Sequence, residues 1–323
     1  METEKYMSAI EIKVLPRKSM SWAAFCKIAP RRSIALDGFV NDGPQWDESS
    51  LRANFDHHSG VVREATMSTA MQVMFAIKGG LMGRLGGHAT VWINDPDQDT
   101  CLATWLLTHH HLFDGIQSHP NINRLLTLND RLDITGGAYP MRLDDEVLGM
   151  HLWVFEPYQE LRTSGALANA DDAVMRNCMD AVHARLNAAL MGQHGLRALR
   201  TDATVLYDSP LGFKIVDETG GNEARYALFS RGMNAFVSVV STRDDGRHVY
   251  SIGRRSRYIN FPVTELCAKL SDADGLLDFN GWGGSDIISG SSRQYGSGLS
   301  WEKVRDVIEA YMAKQNVQVT EPK

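Results

Sequence analysis

A chain of 323 residues with 43% hydrophobic and 8% aromatic residues has the composition of a folded protein, which excludes a disordered one, and it is too long for one typical domain. Its net charge of −6 disfavours a globally cationic nucleic-acid binder, so long nucleic acid is not an expected partner. Cys26, Cys101, Cys178 and Cys267 include no C-x-x-C pair and read as free thiols of a reducing compartment, not as disulfides or a thiolate zinc site.

The opening METEKYMSAIEIKVL has no apolar core of the signal-peptide kind, and no run approaches the roughly 18 apolar residues that cross a bilayer. A cytoplasmic protein without membrane contact is therefore expected. SIALDGFV (33–40) reads as a strand that runs into an acid, and RANFDHH (52–58) as a second. ATMSTAMQVMFAIKGG (65–80) carries apolar residues at helical spacing and stops in a glycine pair. HATVWIN (88–94) is a third strand, followed by a helix over TCLATWLLTHHHLF (100–113). Strands alternating with helices predict an α/β domain, with a parallel sheet between helical layers, over 1–165. The Ala-rich amphipathic stretch 166–191 could connect two domains or pack on one, and is assigned as a connecting helix over 166–199.

Beyond it, ATVLYDS, FKIVDET, RYALFS, AFVSVVS and HVYSIGRR read as short strands. FPVTELCAKLSDADG reads as a helix, then comes a glycine- and serine-rich run, and SWEKVRDVIEAYMAKQ is a last helix capped by Ser300 without a capping-box partner. These predict a smaller mixed α+β domain over 200–323.

Acids gather where the first-half strands stop: Asp37, Asp56-His57-His58 and Asp95-Pro96-Asp97-Gln98-Asp99, with Asp130 and Asp133 further on. Ligands of a parallel sheet bind outside the carboxyl ends of its strands. Carboxylates meeting there repel one another, and hard divalent cations ligated by oxygen and imidazole nitrogen relieve that repulsion. Taken singly, Asp37 suits a turn or a cap, and Asp99 suits the N-cap of the helix expected at Thr100. A calcium loop from Asp95 fails, because Thr100 stands at its glycine position and Leu106 at its bidentate-glutamate position.

Together these segments resemble the DHH phosphoesterases. The name-giving triplet is Asp56-His57-His58, the preceding strand ends in Asp37, MSTAMQVMFAI resembles the family's Ser-Thr-Ala helix, and NDPDQDTCLATWLL its Asn-Pro-Asp-x-Asp motif. GRHVYSIGRRSRYINFPVTELCAKL with GWGGSDIISGSSRQYGSGLS resembles the DHH-associated substrate domain. The Asp-x-Asp motif follows the triplet here instead of preceding it. Ile93 stands where a family histidine would fall, and Ser285 where the glycine-rich loop often has histidine.

The resemblance implies a hydrolase holding one or two Mn²⁺ or Mg²⁺ ions through Asp37, His57, Asp97, Asp99 and Asp130 or Asp133. Asp56 and His58 would serve catalysis, with His58 facing the substrate. Arg293 would clamp phosphate in a loop with Gly283, Gly284 and Ser285. The implied substrate is a small phosphorylated molecule, a nucleotide or a short oligonucleotide, and the implied assembly a homodimer. The missing histidine motivates an alternative: a catalytically impaired nucleotide- or phosphate-binding protein on the same two-domain scaffold. Arg254, Arg255 and Arg257 read as a solvated basic cluster, at most one side of which could point at substrate.

Overall fold

The computed structural model describes residues 9–218, 221, 223–276, 281–292 and 295–319. The chain divides into two compact units: Met1–Ile134 with Asp145–Arg197, and Thr135–Asp144 with Ala198–Lys323.

In the first unit the chain runs β1 (Ala9–Val14), α1 (Trp22–Ile28), β2 (Ser33–Leu36), β3 (Gln45–Asp47), β4 (Arg52–Phe55), α2 (Thr69–Lys78), α3 (Leu81–Leu85) and β5 (His88–Ile93). Helices α4 (Gln98–Thr108), α5 (Pro120–Ile134), α6 (Glu146–Val154), α7 (Glu156–Thr163) and α8 (Asp172–Leu190) follow. The sheet order is β1-β5-β2-β4-β3, parallel except for β3 at the edge. All of β2 is buried, as a central parallel strand covered on both faces must be. From β2 the chain moves to β4 on one side and returns to β5 on the other. Such a reversal opens a crevice at the carboxyl ends of the strands.

The expected α/β class is what the chain adopts, and its first sheet is the mostly parallel one. The stretch assigned as a connecting helix packs on one unit, the other role open to it. Met175, Met179, Val182 and Leu186 form a buried stripe along α8 and join the same core as α2 and α4. Arg176 also donates to the Ile12 carbonyl of β1 at 3.0 Å. A free-standing connector would have left that stripe in water, so α8 belongs to the first unit. Among the described residues no helix is long and apolar enough to cross a membrane.

The second unit contains β6 (Thr204–Asp208), β7 (Lys214–Asp217), α9 (Glu223–Ser230), β8 (Ala235–Thr242), β9 (His248–Arg254), α10 (Val263–Asp274), β10 (Gly283–Gly284), β11 (Ile288–Gly290) and α11 (Trp301–Lys314). Its sheet order is β10-β11-β9-β8-β7-β6, with β7 and β8 parallel and the other pairs antiparallel. RYALFS, expected as a strand, lies in α9. Parallel neighbours need a crossover between them, and α9 supplies it. Ser300 caps α11 as expected, its hydroxyl accepting from the Lys303 amide.

Candidate metal centre

Three neighbouring parallel strands, β5, β2 and β4, deliver acids to one edge of the first sheet. β2 stops at Leu36 and Asp37 follows in a left-handed conformation, φ 49°, that non-glycine residues seldom adopt. The Asp37 carboxylate accepts from the Thr69 hydroxyl at 2.9 Å and the Thr100 hydroxyl at 3.4 Å. The turn after β4 is organised by Asp56. Its fully buried carboxylate accepts from the amides of Gly38, His58 and Ser59 at 2.9, 3.0 and 3.1 Å, and bonds His58 Nδ1 at 2.9 Å. Those bonds engage both oxygens, so Asp56, expected among the catalytic residues, holds the turn and orients His58.

His57 points inward and is fully buried. Its Nε2 lies 2.8 Å from Asp133 Oδ2 and 3.6 Å from Asp37 Oδ1. The approach to Asp133 is a close imidazole–carboxylate contact. Apart from that contact, His57 Nδ1 and Nε2 and Asp133 Oδ2 have no hydrogen-bond partner among the described residues. Donor atoms of His57, Asp99 and Asp133 lie within 4.8 Å of one another, and so do those of Asp37, His57 and His58. Two overlapping ligand sets share one imidazole.

The remaining predicted residues fall around this cluster. Asp99 is buried in the first turn of α4 and accepts from the Ala70 amide at 3.2 Å and the Asn129 side-chain amide at 2.8 Å. Asp97, not Asp99, is the N-cap of α4, accepting from the Thr100 amide at 2.8 Å. Asp97, expected as a metal ligand, spends one oxygen on that cap and stands outside both ligand sets. Asp130 likewise turns aside and accepts from the Ser68 amide at 2.8 Å. Asp133, one helical turn on, is the residue of that pair that enters the cluster.

Burial, then the neighbouring carboxylates, holds Asp97 and Asp99 well above the ordinary carboxylate range. Burial also pushes Asp133 upward, but His57 and Arg63 outweigh it and leave the group below that range. For His58, burial is opposed by Asp37 and the Asp56 bond, and the net shift is upward.

In the second unit, Gly283 and Gly284 form β10, paired with Gly290 and Ser289 of β11 in a tight hairpin. At Gly284, with φ 143°, an added Cβ would come within 2.8 Å of the Ser289 Cα, so the close strand approach requires glycine. The Ser285 hydroxyl accepts from the amides of Ile287 and Ile288 at 3.3 and 3.1 Å and so fastens the turn. Arg293 lies outside the described residues. Asp286 binds both Arg254 and Arg257, at 3.2 and 2.9 Å, so part of the basic cluster is tied into the hairpin.

Arg63, Asn129 and His151 are not found from the sequence. The buried Arg63 donates to the Asp133 carbonyl at 2.9 Å and stands 3.6 Å from its carboxylate. Asn129 and Asp133 are four residues apart on α5, a spacing that puts both on one helix face once the helix is recognised. His151 sits in the apolar run EVLGMHLWV, where nothing marks it as anything but core.

No protein-family model matches the chain, and no curated protein does.

Proposed function

We propose that the chain is a metal-dependent phosphoesterase of the DHH type, a hydrolase acting on a small phosphorylated or nucleotide substrate. The observation that carries the proposal is the buried approach of His57 Nε2 to Asp133 Oδ2, neither of them hydrogen-bonded among the described residues, with Asp37 and Asp99 beside them. Buried polar atoms that meet only one another are costly, and here they converge with the oxygen and imidazole-nitrogen donors that suit Mn²⁺ or Mg²⁺. Asp37, His57, Asp99 and Asp133 would hold one ion or two. Bound there, a divalent cation would supply Lewis acidity, bringing the pKa of water toward neutrality and offsetting charge on phosphoryl oxygens.

The protein's own groups account for the rest. Thr69 and Thr100 fix the rotamer of Asp37. Asp56 accepts from His58 Nδ1, so Nε2 of that half-exposed ring is the nitrogen left to face a phosphoryl oxygen, to which it donates when the ring is protonated, the form that Asp37 and Asp56 favour. Arg63 keeps a fixed positive charge on the Asp133 side.

A second reading has its own observation. Ile93, at the position of a family histidine, is fully buried in the core and offers no ligand atom. A site short of that donor suits a nucleotide- or phosphate-binding protein without turnover. The assay is Mn²⁺-dependent release of phosphate or nucleoside monophosphate from a panel of small phosphoesters and short oligonucleotides. Turnover that disappears in Asp37→Ala and His57→Ala supports the hydrolase. Nucleotide binding without turnover under any divalent ion favours the binder, and full turnover in both variants overturns the assigned site.

A further inference from the structure

Asp99 does not end the polar chain that begins at the cluster. Its Oδ1 accepts from Asn129 Nδ2 at 2.8 Å, and Asn129 Oδ1 lies 3.2 Å from His151 Nε2. Asn129 is 1% exposed and His151 is fully buried, so neither serves solubility. The three residues come from α4, α5 and α6.

We infer that Asn129 and His151 form a positioning relay that fixes the Asp99 carboxylate for a divalent cation. This rests on the metal reading proposed above. An ionised Asp99 only accepts hydrogen bonds, so Asn129 must present its amide NH₂ to it. Asn129 then turns its carbonyl oxygen to His151, and His151 must donate from Nε2. That fixes the tautomer and leaves Nδ1 as a bare acceptor.

Nδ1 indeed has no hydrogen-bond partner among the described residues. Burial, helped by Arg197, pushes the His151 pKa down to about 3, so the ring is neutral and has one proton to place. A leucine at this position would fill space without burying an unsatisfied nitrogen. What histidine adds is the Nε2–H bond to Asn129. Outer groups of this kind orient a ligating carboxylate and typically change metal affinity by about 10–100-fold when removed.

The experiment is a calorimetric Mn²⁺ titration of the full chain, with the visible absorption of the Co²⁺ form as a second readout of ligand geometry. The variants are Asp99→Ala, Asn129→Leu, His151→Leu and His151→Gln, each first shown to melt cooperatively in chelator. Asp99→Ala sets the scale for a lost ligand. The relay predicts Mn²⁺ binding weakened about 10–100-fold in Asn129→Leu and about tenfold in His151→Leu, with an altered Co²⁺ spectrum. Glutamine places a donor near the position of Nε2, so His151→Gln is expected to stay within about threefold of the parent.

If Asn129→Leu does not fold, the His151 pair decides alone. Parent-like affinity and spectrum in His151→Leu, whatever its melting temperature, overturns the relay and leaves only a packing role. If the parent binds no Mn²⁺ while folded, the metal reading itself fails and the relay with it.

Discussion

Each unit buries charge, and the two do so in opposite ways. In the second, Arg225 and Glu218 are all but inaccessible and fully answered. Arg225 Nε donates to Glu218 Oε2 at 3.1 Å, Nη2 bonds the other oxygen, and the Ser238 hydroxyl donates to Glu218 at 2.9 Å. The guanidinium also lies 4.6 Å from the centre of the Phe236 ring. In the first unit, Asp37, His57, Asp99 and Asp133 lie close together, yet His57 and Asp133 keep buried atoms without hydrogen bonds. A closed network serves the fold. The convergent set in the first unit is the feature on which the metal proposal rests.

That contrast is broken most forcefully in the second unit. Arg225→Ala leaves the Glu218 charge buried and alone, and is expected to cost about 3–5 kcal/mol in chemical denaturation. Asp99→Asn should act in the opposite direction. In chelator it removes a buried carboxylate crowded by others, so it is expected to stabilise the metal-free protein, while abolishing any stabilisation by Mn²⁺. A destabilised Asp99→Asn protein would place Asp99 with Glu218, as a satisfied structural charge.

A pH series sharpens the picture. His151 has its folded pKa lowered from 6.5 to about 3 by burial. The unfolded chain therefore binds the extra proton first, so the contribution is intact above pH 6.5 and lost as pH falls toward 3. The slope from this one group is about 1.4 kcal/mol per pH unit, and His151→Gln should remove it from the pH dependence of melting. Unchanged slopes would mean that His151 does not titrate as a buried neutral ring. The smallest effect is an ordinary one. Ser300→Ala deletes a helix cap and should cost about 1 kcal/mol without touching Mn²⁺ binding.

How much of this is legible in the sequence depends on which signals are local. Asp37 and the 56–58 triplet sit at the ends of apolar strand runs, and the strand-to-acid transition can be read directly. The choice between Asp130 and Asp133 cannot be made without α5, because only the helix phase decides which carboxylate faces the strands and which turns to Ser68. The first turn of α4 shows the same limit. Expecting a start at Thr100 makes Asp99 the cap, but the helix begins at Gln98, so the cap is Asp97 and Asp99 is released inward. RYALFS is ambiguous for another reason. A short, nearly all-buried segment satisfies helical and strand periodicity alike, and only the parallel pairing of β7 with β8 requires a helix there. His151 has no local signature, since its meaning lies in what Asn129 needs from across the core.

The central claim is tested most directly by elemental analysis of the full chain purified without chelator, beside Asp37→Ala and His57→Ala proteins handled identically. The account predicts manganese or magnesium at about one equivalent or more in the parent, with loss from both folded variants. A metal-free parent that also takes up no Mn²⁺ on dialysis would contradict it.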